Sequence, residues 1–317
     1  MLSTKETKLM KKSSFTFVLV TLVASMLFGQ ADGDVYMFSY FKDNGQDGLH
    51  LAYSFDGYSW TPLHGDSSFL TPTAGKDKLM RDPCIIRGGD GLFHMVWTVS
   101  WNERGIGYAS SKDLLTWSTQ LYVPVMDDEP TTRNCWAPEI YFDKKRSQYI
   151  IYWASTIPGR FPQPDSSAES NYNHRLYYTT TKDFKSFRKT KLLFDPGFNV
   201  IDATIINDGK RFVMVLKDER RHPEKKNLRL AYAKKPSGKF SAAGEPFTES
   251  WVEGPTVSRV KGAWVVYYDQ YTRHKMGAVA SSDLTVWRNI SNELQFPPGA
   301  RHGTVFTLSA AEFETLK

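Results

Sequence analysis

Residues 80–117 read MRDPCIIRGGDGLFHMVWTVSWNERGIGYASSKDLLTW. Short apolar runs in this stretch are separated by turn-forming residues, most clearly by the GGDG segment at 88–91. Short apolar runs closed by turns predict four antiparallel strands of one small sheet. One such sheet cannot bury both of its faces alone, so we expect the stretch to be one unit of a larger repeat.

The repeat is clearest at its end, where an aromatic residue follows an aspartate by four positions. Four such pairs occur: Asp56 and Trp60, Asp113 and Trp117, Asp183 and Phe187, and Asp283 and Trp287. A fifth, weaker copy contains LAYA at 230–233 and ends at Phe240. The spacing of the closing aromatic residues, roughly fifty positions, is typical of four-stranded propeller blades with variable loops. The sequence therefore predicts an all-β, five-bladed β-propeller.

The two chain ends are expected to close the ring of blades. The first unit, residues 34–60, lacks its first strand, whereas an apolar strand at 301–306 follows Trp287 and has no partner in its own unit. Pairing of this C-terminal strand with the N-terminal blade removes exposed sheet edges. Residues 32–317 are accordingly predicted to form a single propeller domain.

Residues 1–31 have the pattern of a secretory signal peptide. Lysines precede a short apolar run at 15–29, and small residues follow that run. A membrane anchor needs about 20 apolar residues, so we expect cleavage of the segment and export to the periplasm or the outside of the cell. The mature form is expected to have no membrane contact and to be a monomer.

The composition favours a carbohydrate partner over nucleic acid. The signal segment contains four Lys and one Glu, and without it the formal charge of +6 falls to +3, too small to indicate nucleic-acid binding. Aromatic residues make up 14% of the chain, which suits stacked blades or a face that contacts sugar rings. A basic cluster at 220–226 has two open interpretations, a solvated loop or a site for an acidic or extended substrate.

The chain has only two cysteines, Cys84 and Cys135. In the repeat alignment they lie about four positions apart on neighbouring strands, roughly 13 Å at the usual strand rise. A disulfide requires Cα atoms within about 7 Å of each other. We therefore predict two buried free thiols.

Alignment of the first strand of each unit places three carboxylates at neighbouring positions. One column holds Arg81, Trp136, Ile201, Glu253 and His302, and the next holds Asp82, Ala137, Asp202, Gly254 and Gly303. The first strands of propeller blades line the axis, so we expect Asp82, Asp202 and Glu253 to face one shared depression. Each aspartate by itself is also consistent with a turn former.

Converging carboxylates indicate glycoside hydrolysis. One carboxyl group donates a proton to the leaving oxygen, and another, ionised, activates water or attacks the sugar. A third negative charge nearby raises the pKa of the acid. The sequence shows neither a Ser or Cys nucleophile with its partners nor a Cys and His metal cluster, so no cofactor is expected to be required.

Loops between the second and third strands of each unit return to the same face as these carboxylates. They are expected to place aromatic and basic side chains around the rim: Trp101, Phe161, Tyr172, Arg220, His222, Tyr271 and Arg273. Together with Trp136, the aromatic side chains offer faces for the C–H surfaces of sugars. Core packing is an equally good interpretation of any one of them.

With these residues the sequence resembles glycoside hydrolase family 43. The segment RDP at 81–83 is similar to the family's segment with the general base, IDA at 201–203 to the segment whose Asp tunes the acid, and VEGP at 252–255 to the segment with the general acid. WAP at 136–138 matches a family strand signature, although the family often has Asp where this chain has Glu139. The resemblance covers nearly all of the chain after residue 31.

The resemblance implies an inverting, exo-acting hydrolase that releases arabinofuranose or xylose from plant polysaccharide or oligosaccharide, with α-L-arabinofuranosidase activity favoured. Asp82 would be the base, Glu253 the acid and Asp202 its tuning partner, while Arg81, Trp101, Trp136, Tyr271, Arg273 and His302 would bind substrate. His302 is similar to the family's axial histidine, which implies a possible structural calcium ion nearby. The alternatives are an exo-galactosidase or another furanosidase on the same fold, and a non-catalytic carbohydrate-binding propeller.

Overall fold

The structure, a computed structural model, describes residues 34–162 and 172–317. The predicted signal peptide at residues 1–31 lies outside these residues. Over the described part the strands and the one α-helix are β1 (Val35–Tyr40), β2 (His50–Ser54), β3 (Thr61–Pro62), β4 (Arg81–Arg87), β5 (Phe93–Thr98), β6 (Ile106–Ser111), β7 (Leu121–Val123), β8 (Trp136–Asp143), β9 (Gln148–Ser155), β10 (Arg175–Thr181), β11 (Lys191–Phe194), β12 (Val200–Asn207), β13 (Phe212–Asp218), β14 (Asn227–Ala233), β15 (Glu253–Val260), β16 (Ala263–Gln270), β17 (Lys275–Ser281), β18 (Arg288–Asn289), β19 (Thr304–Leu308) and α1 (Ala310–Leu316).

These strands form five antiparallel sheets, which confirms the predicted five-bladed propeller. Blade one has the strand order β19-β1-β2-β3, and blades two, three and five are formed by β4 to β7, β8 to β11 and β15 to β18. Blade four consists of β12, β13 and β14. The innermost strands contact one another in a closed ring in the order β19, β4, β8, β12 and β15. Hydrophobic clusters fill the spaces between blades, so each blade buries its faces against its neighbours.

The predicted ring closure is confirmed in blade one. Strand β19 pairs antiparallel with β1, so that Val35 lies opposite Leu308 and Ser39 opposite Thr304. The paired strand begins three residues later than the sequence pattern indicated. Arg301 and His302 therefore lie in the segment that leads into β19, next to the axis rather than within a ladder.

The repeated aspartate forms a turn at the end of the third strand of a blade. In blade two the Ser111 hydroxyl accepts the N–H of Leu114 at 2.8 Å, and the Asp113 carboxylate accepts the N–H of Thr116 at 2.7 Å. The same bonds recur at Ser54 and Asp56, Thr181 and Asp183, and Ser281 and Asp283. The third residue after each hydroxyl has a left-handed backbone, with φ between 54° and 76°. Local hydrogen bonds therefore explain the sequence repeat.

Blade four lacks this turn, which corrects the expectation of four strands in every blade. Ala233 and Lys235 replace the hydroxyl residue and the aspartate, and Pro236 occupies the left-handed position. Proline fixes φ near −65°, so the turn cannot form. The chain instead closes through a backbone bond of 3.0 Å from the N–H of Gly238 to the carbonyl of Lys235, and no fourth strand of this sheet occurs among the described residues.

Each innermost strand of blades two to five has the same bulge near its start. The ladder register shifts by one residue after Arg81, Trp136, Ile201 and Glu253. The next residue in each strand has a positive φ, namely 52° at Asp82, 47° at Ala137, 48° at Asp202 and 58° at Gly254. A bulge redirects side chains at the rim of a sheet. The second predicted column is therefore the bulge position of every one of these blades.

Cys84 and Cys135 are buried free thiols, as predicted. Burial raises the pKa of Cys135 to about 12, which makes the thiol unreactive.

Within residues 34–162 and 172–317, no helix is long and apolar enough to cross a membrane.

Candidate active site

A cavity of about 630 Å³ opens at the end of the axis where the innermost strands begin. Eight of the nine residues predicted to be catalytic or substrate-binding line it: Arg81, Asp82, Trp101, Trp136, Asp202, Glu253, Tyr271 and His302. The bulges therefore bring the three carboxylates from blades two, four and five to one site.

Asp82 is held as a carboxylate. Its side chain accepts a hydrogen bond of 2.8 Å from the Thr98 hydroxyl and lies 3.2 Å from Nδ1 of His302. Burial alone would raise the pKa of Asp82, but the charges of His302 and Arg81 hold it well below its usual value. Asp82 is therefore ionised at neutral pH.

The pKa of Asp202 is shifted in the opposite direction to that of Asp82. Its carboxylate accepts the backbone N–H of Gly254 at 3.1 Å, a bond that joins blade four to blade five. Burial raises the pKa of Asp202 to about 6. The negative charge of Glu253 also raises this pKa, whereas the positive charges of His302 and Lys217 lower it. Near pH 6 the residue can hold or release a proton, as a group that modulates a neighbouring acid must.

Glu253 lies between two cations that were absent from the predicted site. Nζ of Lys217 lies 3.0 Å from one carboxylate oxygen, and the guanidinium of Arg301 lies 3.1 Å from the other. Arg301 also contacts Asp269 at 3.1 Å, and burial raises the pKa of Asp269 to about 6. Both ion pairs fix the position of the Glu253 side chain.

Alternating charges form one wall of the cavity. Lys226 pairs with Glu219, and Glu219 lies 2.7 Å from Nζ of Lys217. Lys217 and Lys226 are each only 1% to 2% exposed. Burial alone would lower the pKa of Lys217, but Glu219 and Glu253 raise it well above its usual value. Successive ion pairs link Lys226, Glu219, Lys217, Glu253, Arg301 and Asp269, and we call these six residues the ionic wall.

The buried position of Lys226 corrects one interpretation of the basic cluster at 220–226. A solvated loop does not describe Lys226, which lines the cavity. Arg220 turns away from the cavity and pairs with the buried carboxylate of Asp218. A signal for this arrangement exists in the sequence: Lys217, Asp218 and Glu219 follow the apolar segment at 213–216, and alternation along a strand places Lys217 and Glu219 on one face.

Aromatic rings form a second wall of the cavity. Trp136 makes an edge contact with Trp101 at 5.4 Å between ring centroids, and it lies 4.7 Å from Tyr172 and 4.9 Å from His174. All four residues line the cavity. The guanidinium of Arg81 lies 4.3 Å from the Trp101 ring, which fixes both side chains. Aromatic rings that line a cavity offer faces to apolar sugar surfaces.

Four predicted rim residues are not part of the cavity lining. Arg273 is exposed and lies 3.8 Å from Glu249, and Arg220 pairs with Asp218. His222 is exposed, and Phe161 packs under Arg175 at 4.5 Å. Trp101, Tyr172 and Tyr271 do line the cavity, so the loops reach the predicted face. The path of each loop, and so which of its side chains enter the cavity, could not be derived from strand alternation.

Glu139 lies buried below the carboxylates at the axis. It accepts hydrogen bonds of 3.3 Å from Thr204 and 3.4 Å from Thr304, and burial raises its pKa to about 7. Within the described residues, no group of three or more His, Cys, Asp or Glu is arranged to hold a metal ion. The calcium ion near His302 remains an untested prediction.

The Asp82–His302 pair predicts a pH-dependent stability. Burial alone would lower the pKa of His302, but Asp82 raises it from 6.5 to about 9. The stabilisation that His302 gains from the pair is therefore complete below pH 6.5 and is lost as the pH rises through 9. We expect the thermal midpoint to fall more steeply between pH 6.5 and 9.5 in the wild type than in His302→Asn, measured by circular dichroism. Equal slopes for the two proteins would contradict the pair's contribution.

A family model described as a probable glycosyl hydrolase domain, related to glycoside hydrolase family 43, matches residues 32–314. The chain belongs to this family. The resemblance inferred from the RDP, IDA and VEGP segments is thereby confirmed. The family 43-related domain spans all five blades, including the strand that closes the ring.

Individual relatives of this family 43-related chain are distant. An α-L-arabinofuranosidase of Bifidobacterium longum is 22% identical over 189 residues, which are 52% of this chain and 17% of that enzyme. The chain therefore spans less than a fifth of the length of that relative. Because the aligned part is such a small share of that enzyme, the similarity does not show that this chain has the same activity.

Solved structures share the fold at low identity. The α-L-arabinofuranosidase of Lactobacillus brevis has a TM-score of 0.51 and 19% identity, with 66% of this chain and 72% of that chain covered. The exo-β-1,3-galactanase of Phanerochaete chrysosporium has a TM-score of 0.52 and 15% identity, with 70% and 52% covered. These similarities concern the fold alone.

Proposed function

We propose that the protein is an exported, inverting and exo-acting glycoside hydrolase that releases arabinofuranose or xylose from plant polysaccharide or oligosaccharide side chains. One observation carries the proposal: carboxylates from three blades line a single cavity, and burial and neighbouring charges give two of them opposite pKa shifts. Separated pKa values among neighbouring carboxylates are the arrangement that acid and base catalysis requires.

In the proposed reaction Asp82 is the general base. Ionised by His302 and Arg81, it accepts a proton from the water that attacks the anomeric carbon. Glu253 donates a proton to the leaving oxygen, and Lys217 and Arg301 then stabilise the carboxylate that forms. Asp202 modulates this proton transfer, because its own charge changes near pH 6.

The aromatic wall supports a carbohydrate substrate. Trp101, Trp136 and Tyr172 present ring surface to the same cavity as Glu253, and one face of a terminal sugar would stack on these rings. Arabinofuranose is favoured because two of the relatives described above are α-L-arabinofuranosidases. A galactose-specific exo-enzyme is the alternative, supported by the galactanase with the same fold.

The test is sugar release by the purified protein from nitrophenyl α-L-arabinofuranoside, β-D-xyloside and β-D-galactoside, followed by digestion of the matching polysaccharides. We expect release from one glycoside and its loss in Glu253→Gln, with binding of the sugar retained. Polysaccharide binding without release of any sugar from any of these substrates would instead support a non-catalytic carbohydrate-binding propeller. Proton NMR of the first product gives the anomeric configuration, and retention would contradict the inverting mechanism.

A further inference from the structure

Blade four carries a second cavity, of about 690 Å³, at the end of β12 remote from Asp202. We call it the blade-four cleft and define it by six of its lining residues: Lys210, Arg211, Tyr232, Lys234, Lys235 and Lys239. Its volume is within the range of sites that bind small organic ligands or a few sugar units.

The blade-four cleft concentrates uncompensated positive charge. Five of its lining residues are cations, and none of its lining residues carries a carboxylate. Its four lysines are exposed, and they form no ion pair with any residue in the described ranges. Arg211 lies 3.6 Å from the Tyr232 ring and 3.4 Å from Asp208, which holds its guanidinium at the edge of the cleft.

The charge arises where this blade departs from the internal repeat. Lys235 occupies the position of the turn aspartate of the other blades. The closing aromatic residue is retained as buried Phe240, because Ser241 bonds to Tyr232 as Ser118 bonds to Ser110 in blade two, and exposed Lys239 directly precedes it. Pro236 excludes the turn itself, as described above. Blade four has therefore exchanged a structural carboxylate for a lysine and gained a second exposed lysine beside its closing ring, and a solvated turn would not require either lysine.

We propose that the blade-four cleft binds the carboxylates of an acidic polysaccharide, and so holds the polymer on the protein at a distance from the catalytic cavity. Opposite charge and the membership of a glycosyl hydrolase family favour such a polymer. A lipid surface is disfavoured because insertion requires apolar side chains, and among the described residues the exposed large apolar side chains lie outside the cleft. Binding here does not depend on the proposed hydrolysis.

The experiment is affinity electrophoresis of the full chain in gels that contain polygalacturonate, neutral arabinan or duplex DNA. The cleft variant is K234S/K235S/K239S, and the matched control K112S/K182S/K185S removes three exposed lysines from the corresponding turns of blades two and three. We expect the dissociation constant for polygalacturonate to rise about tenfold in the cleft variant and less than twofold in the control. Added salt should weaken wild-type binding.

Three results would overturn the inference: equal loss in both variants, wild-type affinity for arabinan equal to that for polygalacturonate, or DNA binding as tight as polygalacturonate binding. The last would identify a general polyanion surface. Hydrolysis of a nitrophenyl glycoside separates this inference from the proposed function, because both variants should retain the wild-type rate. A protein that binds polygalacturonate through these lysines and hydrolyses nothing would keep the inference and contradict the proposed function.

Discussion

Replacing Asp82 by asparagine is expected to lower the rate of glycoside hydrolysis by roughly 10³-fold. Asparagine preserves the shape of the side chain and its hydrogen bond with Thr98, but it cannot accept a proton from water. The measurement is kcat on the glycoside that the wild type cleaves, with the binding of the product sugar measured by calorimetry.

The matched control is Asp43→Asn, the same chemical change at a residue that lines the cavity outside the three-carboxylate set. We expect this variant to stay within about threefold of the wild-type rate. A D82N protein that keeps full activity, or a D43N protein that loses as much as D82N, would show that the base lies elsewhere.

The second large effect is expected at Lys217. Its replacement by methionine leaves Glu219 and Glu253 with one cation fewer in a buried site, and breaking one partner of such a network costs about 3 kcal/mol of the free energy of unfolding. Urea titration followed by tryptophan fluorescence measures the loss. Lys210→Met, the same substitution at an exposed lysine of blade four, should change the free energy of unfolding by less than about 0.5 kcal/mol.

A double variant distinguishes a charge effect from a packing effect at Lys217. Glu253→Gln removes the charge that Lys217→Met leaves uncompensated, so the double variant should recover part of the lost stability. Additive losses in the two single variants would show that the contact between Lys217 and Glu253 contributes little. Equal stability of Lys210→Met and Lys217→Met would contradict the ionic wall as a whole.

The innermost strands could be predicted because they repeat. Arg81, Trp136, Ile201 and Glu253 occupy the same ladder position in four blades, so alignment alone brought Asp82, Asp202 and Glu253 to one axis. The positive φ at the bulge could not be derived, because Asp82 and Ala137 share it although only glycine favours it.

The ionic wall was missed because its members other than Glu253 come from second strands and loops. Lys217 lies opposite Ile201 in the ladder, and Asp269 lies opposite Glu253, so the second strands supply another ring around the axis. A cluster of basic residues at 220–226 indicates a solvated loop unless the path of that loop is known, and Lys226 is buried by tertiary contacts that have no sequence period. Arg273 was predicted to bind substrate but lies outside the cavity lining, again because the path of its loop has no sequence period.

Closure of blade one makes the catalytic centre dependent on the last strand of the chain. Arg301 contacts Glu253 and His302 contacts Asp82, and both residues immediately precede β19. A chain interrupted before this segment would contain all three carboxylates but would lack the two cations that fix two of them. The pairing of β19 with β1 therefore closes the ring of blades and also brings Arg301 and His302 to the carboxylates of Glu253 and Asp82.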